Sequence, residues 1–123
     1  MFKDTKAFSG FAVPDVEAAE RFYRDTLGLE ATVEHGLMTL HLAGDRPTIV
    51  YPKPDHVPAG FTILNFPVDD IEAAVDALTE RGVEILRYDG MPQDERGIMR
   101  EGGPYIAWFT DPAGNVLSVL QER

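Results

Sequence analysis

Apolar and polar residues alternate in short runs along most of this chain, and such alternation is typical of half-buried β-strands. The runs predict eight strands, four in each half of the chain, at about 7–13, 30–34, 37–42, 48–51, 61–68, 83–88, 105–110 and 116–120. After the first strand of each half, apolar residues instead recur every three or four positions, which predicts one amphipathic helix. Each half therefore has the predicted order βαβββ.

The ends of both predicted helices carry matching signals. Asp15 and Asp70 stand just before the apolar stripes, where a carboxylate can accept hydrogen bonds from the free N–H groups of a first helical turn. Gly28 and Gly82 follow the last turns, where a residue in the left-handed conformation ends a helix without steric cost. The two halves thus share their helix boundaries as well as their strand order.

The two halves are also similar in sequence. The segment Phe11–Ala19 matches Phe66–Ala74 at a constant offset of 55, with six of nine positions identical. A repeat of this length indicates two copies of one structural unit. We predict units at residues 1–54 and 55–123 within a single domain spanning residues 1–123, because 123 residues is an ordinary length for one domain.

Composition narrows the range of partners. Asp and Glu number 21 against 11 Lys and Arg, which gives a formal net charge of −10, and cysteine is absent. Nucleic acids and anionic membranes both need clustered basic residues, so neither is an expected partner. No signal-peptide-like or membrane-spanning apolar run is present, and we expect a cytoplasmic protein. The surplus acid serves solubility alone or also attracts a cationic ligand.

Several short motifs identify a family resemblance. They are Val13-Pro14-Asp15, Phe22-Tyr23, Leu27-Gly28 and Phe109-Thr110-Asp111-Pro112-Ala113-Gly114-Asn115. Together with the duplicated unit, they resemble the vicinal oxygen chelate superfamily, which includes glyoxalase I, extradiol dioxygenases, fosfomycin-resistance transferases and bleomycin-resistance proteins. The resemblance implies an α+β fold in which two tandem βαβββ units form a cupped, half-open eight-stranded barrel. It also implies a homodimer.

The same resemblance implies where a metal would bind. Metal-dependent members hold a divalent ion with His, Gln or Glu side chains on the first and last strands of each unit. Those positions correspond here to Phe8, Ile63 and Ser118, with Val50 or Tyr51 as the fourth. A divalent ion needs three or more nitrogen or oxygen donors, which this set does not supply. We therefore predict no metal site and no other cofactor.

Alternation along the strands predicts which side chains face the cup. In the strand at 37–42 the large apolar residues occupy one face, which turns Thr39 and His41 inward. His41 has three interpretations: a ligand contact or acid–base group, a metal ligand with unusual partners, or a structural or exposed histidine. On the strand at 105–110, either Trp108 or Tyr105 with Phe109 faces the cup. The full predicted ligand-binding set, which takes Trp108, is Phe8, Thr39, His41, Tyr51, Phe61, Ile63, Asn65, Trp108 and Ser118.

An apolar and aromatic lining with few polar points is typical of small-molecule pockets. The alternative is that these side chains simply fill the cup as a second core. Residues 89–103, rich in Gly, Pro and charge, predict one long loop that could act as a lid. Within it, Arg96 and Arg100 either pair with an anionic ligand group or are solvated.

Two functional hypotheses follow. The first is a metal-free small-molecule-binding protein similar to the bleomycin-resistance branch, sequestering an antibiotic or another aromatic or cationic ligand. The alternative is an enzyme: a metal-dependent lyase, isomerase or oxygenase of the glyoxalase or dioxygenase kind with an atypical site, or a metal-free enzyme using His41 as a base. No catalytic residue is assigned beyond that role for His41.

Overall fold

The computed structural model describes all residues from 1 to 123 and confirms the α+β class. The chain divides into two compact units, Met1–His56 and Val57–Arg123. Each unit carries one sheet with a helix packed on it. Neither helix combines the length and the apolar character that crossing a membrane would require.

Unit 1 has all four of its predicted strands. They are β1 (Ser9–Val13), β2 (Ala31–Glu34), β3 (Leu37–Leu42) and β4 (Arg46–Pro52). The sheet order is β1-β4-β3-β2, in which β1 and β4 are parallel and the other neighbours antiparallel. Strand β1 begins two residues later than predicted, so that Phe8 precedes it.

The first helix departs from a regular α-helix. Helix α1 (Val16–Glu20) is capped at its N-terminus by Asp15, whose carboxylate accepts hydrogen bonds from the backbone N–H groups of Glu17 and Ala18. It continues as a π-helical turn over Arg21–Thr26, which the apolar spacing did not predict. Within this wider turn Tyr23 is fully buried, and its ring lies 5.9 Å from that of Phe11 on β1. Phe11 therefore points to the helix side of the sheet.

Unit 2 contains β5 (Thr62–Pro67), α2 (Ile71–Glu80), β6 (Tyr105–Thr110) and β7 (Val116–Gln121). Its sheet has the order β5-β7-β6, again with the first and last strands parallel. Asp70 caps α2 by accepting from the Ala73 N–H at 3.1 Å. Gly28 and Gly82 both adopt positive φ after their helices, as predicted.

The predicted strand at 83–88 is wrong, and unit 2 has three strands rather than four. Only Leu86 in that segment reaches the edge of β6, where its N–H donates to the Trp108 carbonyl. Met99 makes the other edge contact, exchanging two backbone hydrogen bonds with Ile106. The Gln93 side chain satisfies backbone groups of the segment directly, accepting from Tyr88 N–H and donating to Leu86 O. A side chain thus replaces part of the missing ladder.

One hydrogen bond identifies the two faces of the unit 2 sheet. The Gln121 side chain accepts from the N–H of Ile71 at the start of α2, so Gln121 lies on the helix side. Alternation along β7 then places Leu117 and Val119 on that side and Ser118 on the opposite one. The core of each unit lies between sheet and helix, and its fully buried members include Val13, Met38, Leu40 and Val50 in unit 1 and Ile71, Val75, Phe109 and Leu117 in unit 2.

Candidate functional site

The sheet face of unit 2 that points away from α2 carries a row of polar and aromatic side chains. Asn65 on β5, Ser118 on β7 and Trp108 on β6 are direct neighbours in strand register. The Ser118 hydroxyl donates to the Asn65 Oδ1 at 2.6 Å. The Tyr88 ring packs edge-to-face on Trp108, with centroids 5.5 Å apart. We call these four residues the unit 2 open face.

The members of the unit 2 open face differ in exposure. Ser118 is completely buried, Trp108 is half-buried, and Asn65 and Tyr88 are exposed. The indole and phenol rings provide an apolar surface for a planar molecule, and the carboxamide two strands away provides a hydrogen-bonding group. This arrangement suits recognition of a small aromatic molecule.

Two further predicted ligand contacts lie at the start of β5. Phe61 precedes the strand and remains 68% exposed, so its ring is accessible to solvent. Ile63 lies at a shift in the β5–β7 register, between the paired residues Thr62 and Leu64, and is half-buried. Such an irregularity locally re-aims a side chain.

The corresponding face of unit 1 holds the remaining predicted residues. Thr39 lies opposite Ile49, and Tyr51 lies two residues further along the same face of β4. His41 is exposed, and its Nε2 forms a 2.9 Å hydrogen bond with the hydroxyl of Thr32. Phe8, just before β1, is 66% exposed.

From Leu64 onward, the residue pairs of β5 and β7 correspond one by one to those of β1 and β4. Asn65 lies opposite Ser118 in unit 2, as Gly10 lies opposite Ile49 in unit 1. Ile49 is therefore the counterpart of Ser118, and the assignment of that position to Val50 or Tyr51 is wrong. Strand β4 extends beyond the predicted 48–51 at both ends, and its pairing with β1 sets the register, which alternation within one strand cannot do.

The positions that hold metal in metal-dependent members do not form an ion site here. Phe8, Ile49 and Ile63 have no donor atom, and the one hydroxyl, that of Ser118, is hydrogen-bonded to Asn65. No group of three or more His, Asp or Glu side chains that could hold a metal ion occurs in the chain. The donor set does not fit a divalent ion.

The two arginines of the predicted lid lie on the helix side of unit 2. Arg96 forms a two-pronged contact with Asp76, with N···O distances of 3.0 and 3.3 Å. Arg100 donates to Asp94 at 3.0 Å and lies 3.6 Å from Glu72. Because Asp76 and Glu72 belong to α2, this part of the loop does not cover the unit 2 open face. Acidic groups of the helix have attracted both guanidinium groups.

Asp94 organises this loop, a role that sequence reasoning missed. Burial raises the pKa of its carboxyl, but hydrogen bonds from Ile98 N–H, the Arg100 guanidinium and Arg96 N–H outweigh burial and lower the pKa below its usual value. The neighbouring carboxylate of Asp76 raises the pKa of Arg96. In the sequence, Asp94 is followed three residues later by Gly97, which is a pattern typical of a β-turn. The structure contains this turn, in which the Gly97 N–H donates to the Asp94 carbonyl.

Comparison with known proteins identifies the family of this chain. The family model described as Glyoxalase/Bleomycin resistance protein/Dioxygenase superfamily matches residues 8–119. The chain belongs to this superfamily. The match covers both repeats, and it confirms the resemblance that the sequence motifs indicate.

The proteins that are similar to this chain carry different descriptions. Mitochondrial methylmalonyl-CoA epimerase of Bos taurus is 30% identical over 128 residues, covering 90% of this chain and 70% of the epimerase. TnmS3, an antibiotic-binding protein from Streptomyces sp. CB03234, has 25% identity and a TM-score of 0.68, with 98% of both chains covered. A glyoxalase family protein from Enterococcus faecalis has 22% identity and a TM-score of 0.71, covering 98% of this chain and 99% of that chain.

Proposed function

We propose that this superfamily member is a small-molecule-binding protein whose ligand contacts the unit 2 open face. The observation that carries the proposal is the alignment of Asn65, Ser118 and Trp108 in one row, with the Tyr88 ring against the indole. An aromatic surface next to a polar pair supports a planar aromatic ligand. The similarity to an antibiotic-binding protein supports an antibiotic or a molecule of that kind.

The surrounding residues support the same proposal. Phe61 and Ile63 extend the apolar surface at the start of β5. The net charge of −10 would attract a cationic aromatic molecule over a distance and raise its local concentration. We also propose Phe8, Thr39, His41 and Tyr51 of unit 1 as ligand contacts.

Tryptophan fluorescence tests the proposal directly, because Trp108 is the only tryptophan of the chain. We expect saturable quenching when a planar aromatic cation such as proflavine, or a neutral bicyclic quinone such as menadione, is titrated in. A ligand at 100 times its Kd should also raise the free energy of unfolding by about 2.7 kcal/mol. Free N-acetyltryptophanamide is the control for nonspecific quenching. The absence of both quenching and stabilisation across a broad aromatic panel would overturn the proposal.

We further propose that binding requires no metal ion, since the family metal positions hold Phe8, Ile63 and Ser118. Ligand affinity should be unchanged after prolonged dialysis against EDTA. Elemental analysis of protein offered zinc, nickel, manganese and iron in equal amounts should give far less than one ion per chain. One tightly bound ion per chain, or loss of affinity after dialysis, would contradict this part of the proposal.

The protein is also proposed to act as a homodimer, as the family resemblance implies. Light scattering at micromolar concentration should give a mass near twice the 13.6 kDa of one chain. The mass of a single chain would reject the dimer while leaving ligand binding by the unit 2 open face in place.

An enzymatic function is the second candidate, favoured by the 30% identity to bovine methylmalonyl-CoA epimerase. In this reading His41, whose ring is held by Thr32, removes the acidic proton between two carbonyl groups of a substrate. Incubation with methylmalonyl-CoA in deuterium oxide should then place deuterium at that carbon, and H41A should abolish the exchange. No exchange above the rate without protein would reject this candidate.

A further inference from the structure

We infer that Asn65 selects ligands by donating a hydrogen bond, and that Ser118 is the positioning residue that orients it for this role. The ligand would be a planar aromatic molecule with an acceptor oxygen, such as a carbonyl, at the edge of its ring. The inference rests on the proposed function, since it names the ligand chemistry of the unit 2 open face.

The contact between the two side chains sets the orientation of the amide. A carboxamide has one acceptor end, Oδ1, and one donor end, Nδ2 with two hydrogens. The buried Ser118 hydroxyl donates to Oδ1 at 2.6 Å, which engages the acceptor end. Because the amide group is planar, its donor end points away from Ser118. Asn65 is exposed, so these N–H groups are accessible to a ligand.

Strand spacing places this donor at a useful distance from the aromatic pair. Ser118 lies between Asn65 and Trp108 in strand register, and neighbouring strands are about 4.8 Å apart. The backbones of Asn65 and Trp108 are therefore roughly 10 Å apart, two strand spacings. A molecule of two fused rings lying against Trp108 and Tyr88 can bring an edge substituent to the Asn65 amide.

The repeat supports a specialised role for Asn65. Its counterpart in unit 1 is Gly10, and the counterpart of Ser118 is Ile49. Neither of these has a side-chain donor or acceptor. The backbone pairing of the strands therefore does not require a polar pair at this position, and the hydrogen bond between Asn65 and Ser118 is an addition specific to unit 2.

A matched pair of probes tests the selection. Menadione carries carbonyl acceptors and α-naphthylamine carries an N–H donor, each on a planar skeleton of two fused six-membered rings. The wild-type protein should bind menadione about 10-fold more tightly than α-naphthylamine. An N–H donor on the ligand that faces the Asn65 N–H groups leaves the donors on both sides without an acceptor. A 10-fold difference in affinity corresponds to about 1.4 kcal/mol. Equilibrium dialysis measures both affinities, and the absence of cysteine removes the usual site of quinone addition.

Variants separate the selecting residue from its positioning residue. N65L should lose the preference for menadione, and N65D should favour α-naphthylamine because a carboxylate only accepts. S118A should reduce the preference several-fold by freeing the amide, whereas S118T should restore it because it keeps the hydroxyl. Thermal unfolding of each variant confirms that it is folded, and W108F should weaken both probes alike.

NMR supplies a test that needs no variant. In the ligand-free protein the Asn65 side-chain N–H signals should exchange rapidly with solvent, and menadione should shift them downfield. Slow exchange together with nuclear Overhauser contacts to the Ser118 β-hydrogens would overturn the inferred orientation. Equal affinity for both probes with a Trp108 response would overturn the selection and leave the proposed function intact. Failure of both probes to bind would overturn the inference, and failure of the broad aromatic panel as well would reject the proposed function.

Discussion

The two units of this protein have closely similar parallel strand pairs but different chemistry on them. In unit 1 the row across the sheet runs from Gly10 through Ile49 to Thr39. In unit 2 the equivalent row consists of Asn65, Ser118 and Trp108, and Ser118 and Asn65 share a 2.6 Å hydrogen bond. The two rows have the same backbone pattern, while all three side chains of the unit 2 row are polar or aromatic and only Thr39 of the unit 1 row is.

A second difference lies at the sheet edge. In unit 1, β2 pairs with β3 along its full length. In unit 2 the corresponding edge of β6 meets an irregular segment that is organised by the side chains of Gln93 and Asp94. The stability of this sheet edge should therefore depend on side-chain contacts in unit 2, whereas in unit 1 it depends on backbone pairing.

The largest predicted effect concerns Gly97 in this irregular segment. Its φ is +89°, and a Cβ there would lie 2.5 Å from Ile85 Cγ2. G97A should lower the free energy of unfolding by about 2–5 kcal/mol, combining left-handed strain with overpacking. G36A in unit 1 is the matched control, because Gly36 also has positive φ but open space around it. Urea denaturation measures the free energy of unfolding of G97A and G36A, and equal losses in the two variants would contradict this prediction.

Asp94 should make the stability of unit 2 depend on pH. Its folded pKa is lowered, so its contribution is fully present above the unfolded value and is lost as pH falls through the folded pKa. At about pH 6, D94N should be about 1–2 kcal/mol less stable than wild type, with the difference shrinking in acid. D55N removes an exposed ion pair with Lys53 and should cost less than about 0.5 kcal/mol. A difference that is constant down to acid pH would contradict this assignment.

The smallest predicted effects compare the hydrogen bond between Ser118 and Asn65 in unit 2 with that between Thr32 and His41 in unit 1. S118A removes a hydrogen bond from a buried hydroxyl and should cost about 1 kcal/mol of unfolding free energy. T32V removes the exposed contact with His41 and should cost less than about 0.5 kcal/mol, since water replaces it. Urea denaturation at neutral pH ranks the two, and the reverse order would contradict the contrast between the units.

Much of the fold was predictable because it depends on local pattern. The structure contains the helix caps predicted at Asp15 and Asp70 and the strands predicted from alternation at β3 and β6. The repeat at an offset of 55 residues relates the two caps to each other. The absence of a strand at 83–88 was not predictable from alternation, because the backbone partners of that segment include a side chain, Gln93. The π-helical turn likewise has no signature in apolar spacing.

The candidate site was only partly predictable for a related reason. Alternation placed Asn65 and Ser118 in the cup but left Trp108 as one of two options, and the partner of Ser118 lies 53 residues away in sequence. The arginines were ambiguous because carboxylates of α2 compete with any ligand for them, and Arg96 in fact pairs with Asp76. Long-range competition of this kind is not encoded in local spacing.

Chemical-shift mapping of the labelled protein during a menadione titration tests the central claim most directly. The account predicts that the largest shifts fall on the Trp108 indole, the Tyr88 ring and the Asn65 side-chain amide, all on the unit 2 open face. Shifts confined to unit 1, around His41 and Tyr51, would contradict it, as would shifts spread evenly over the surface.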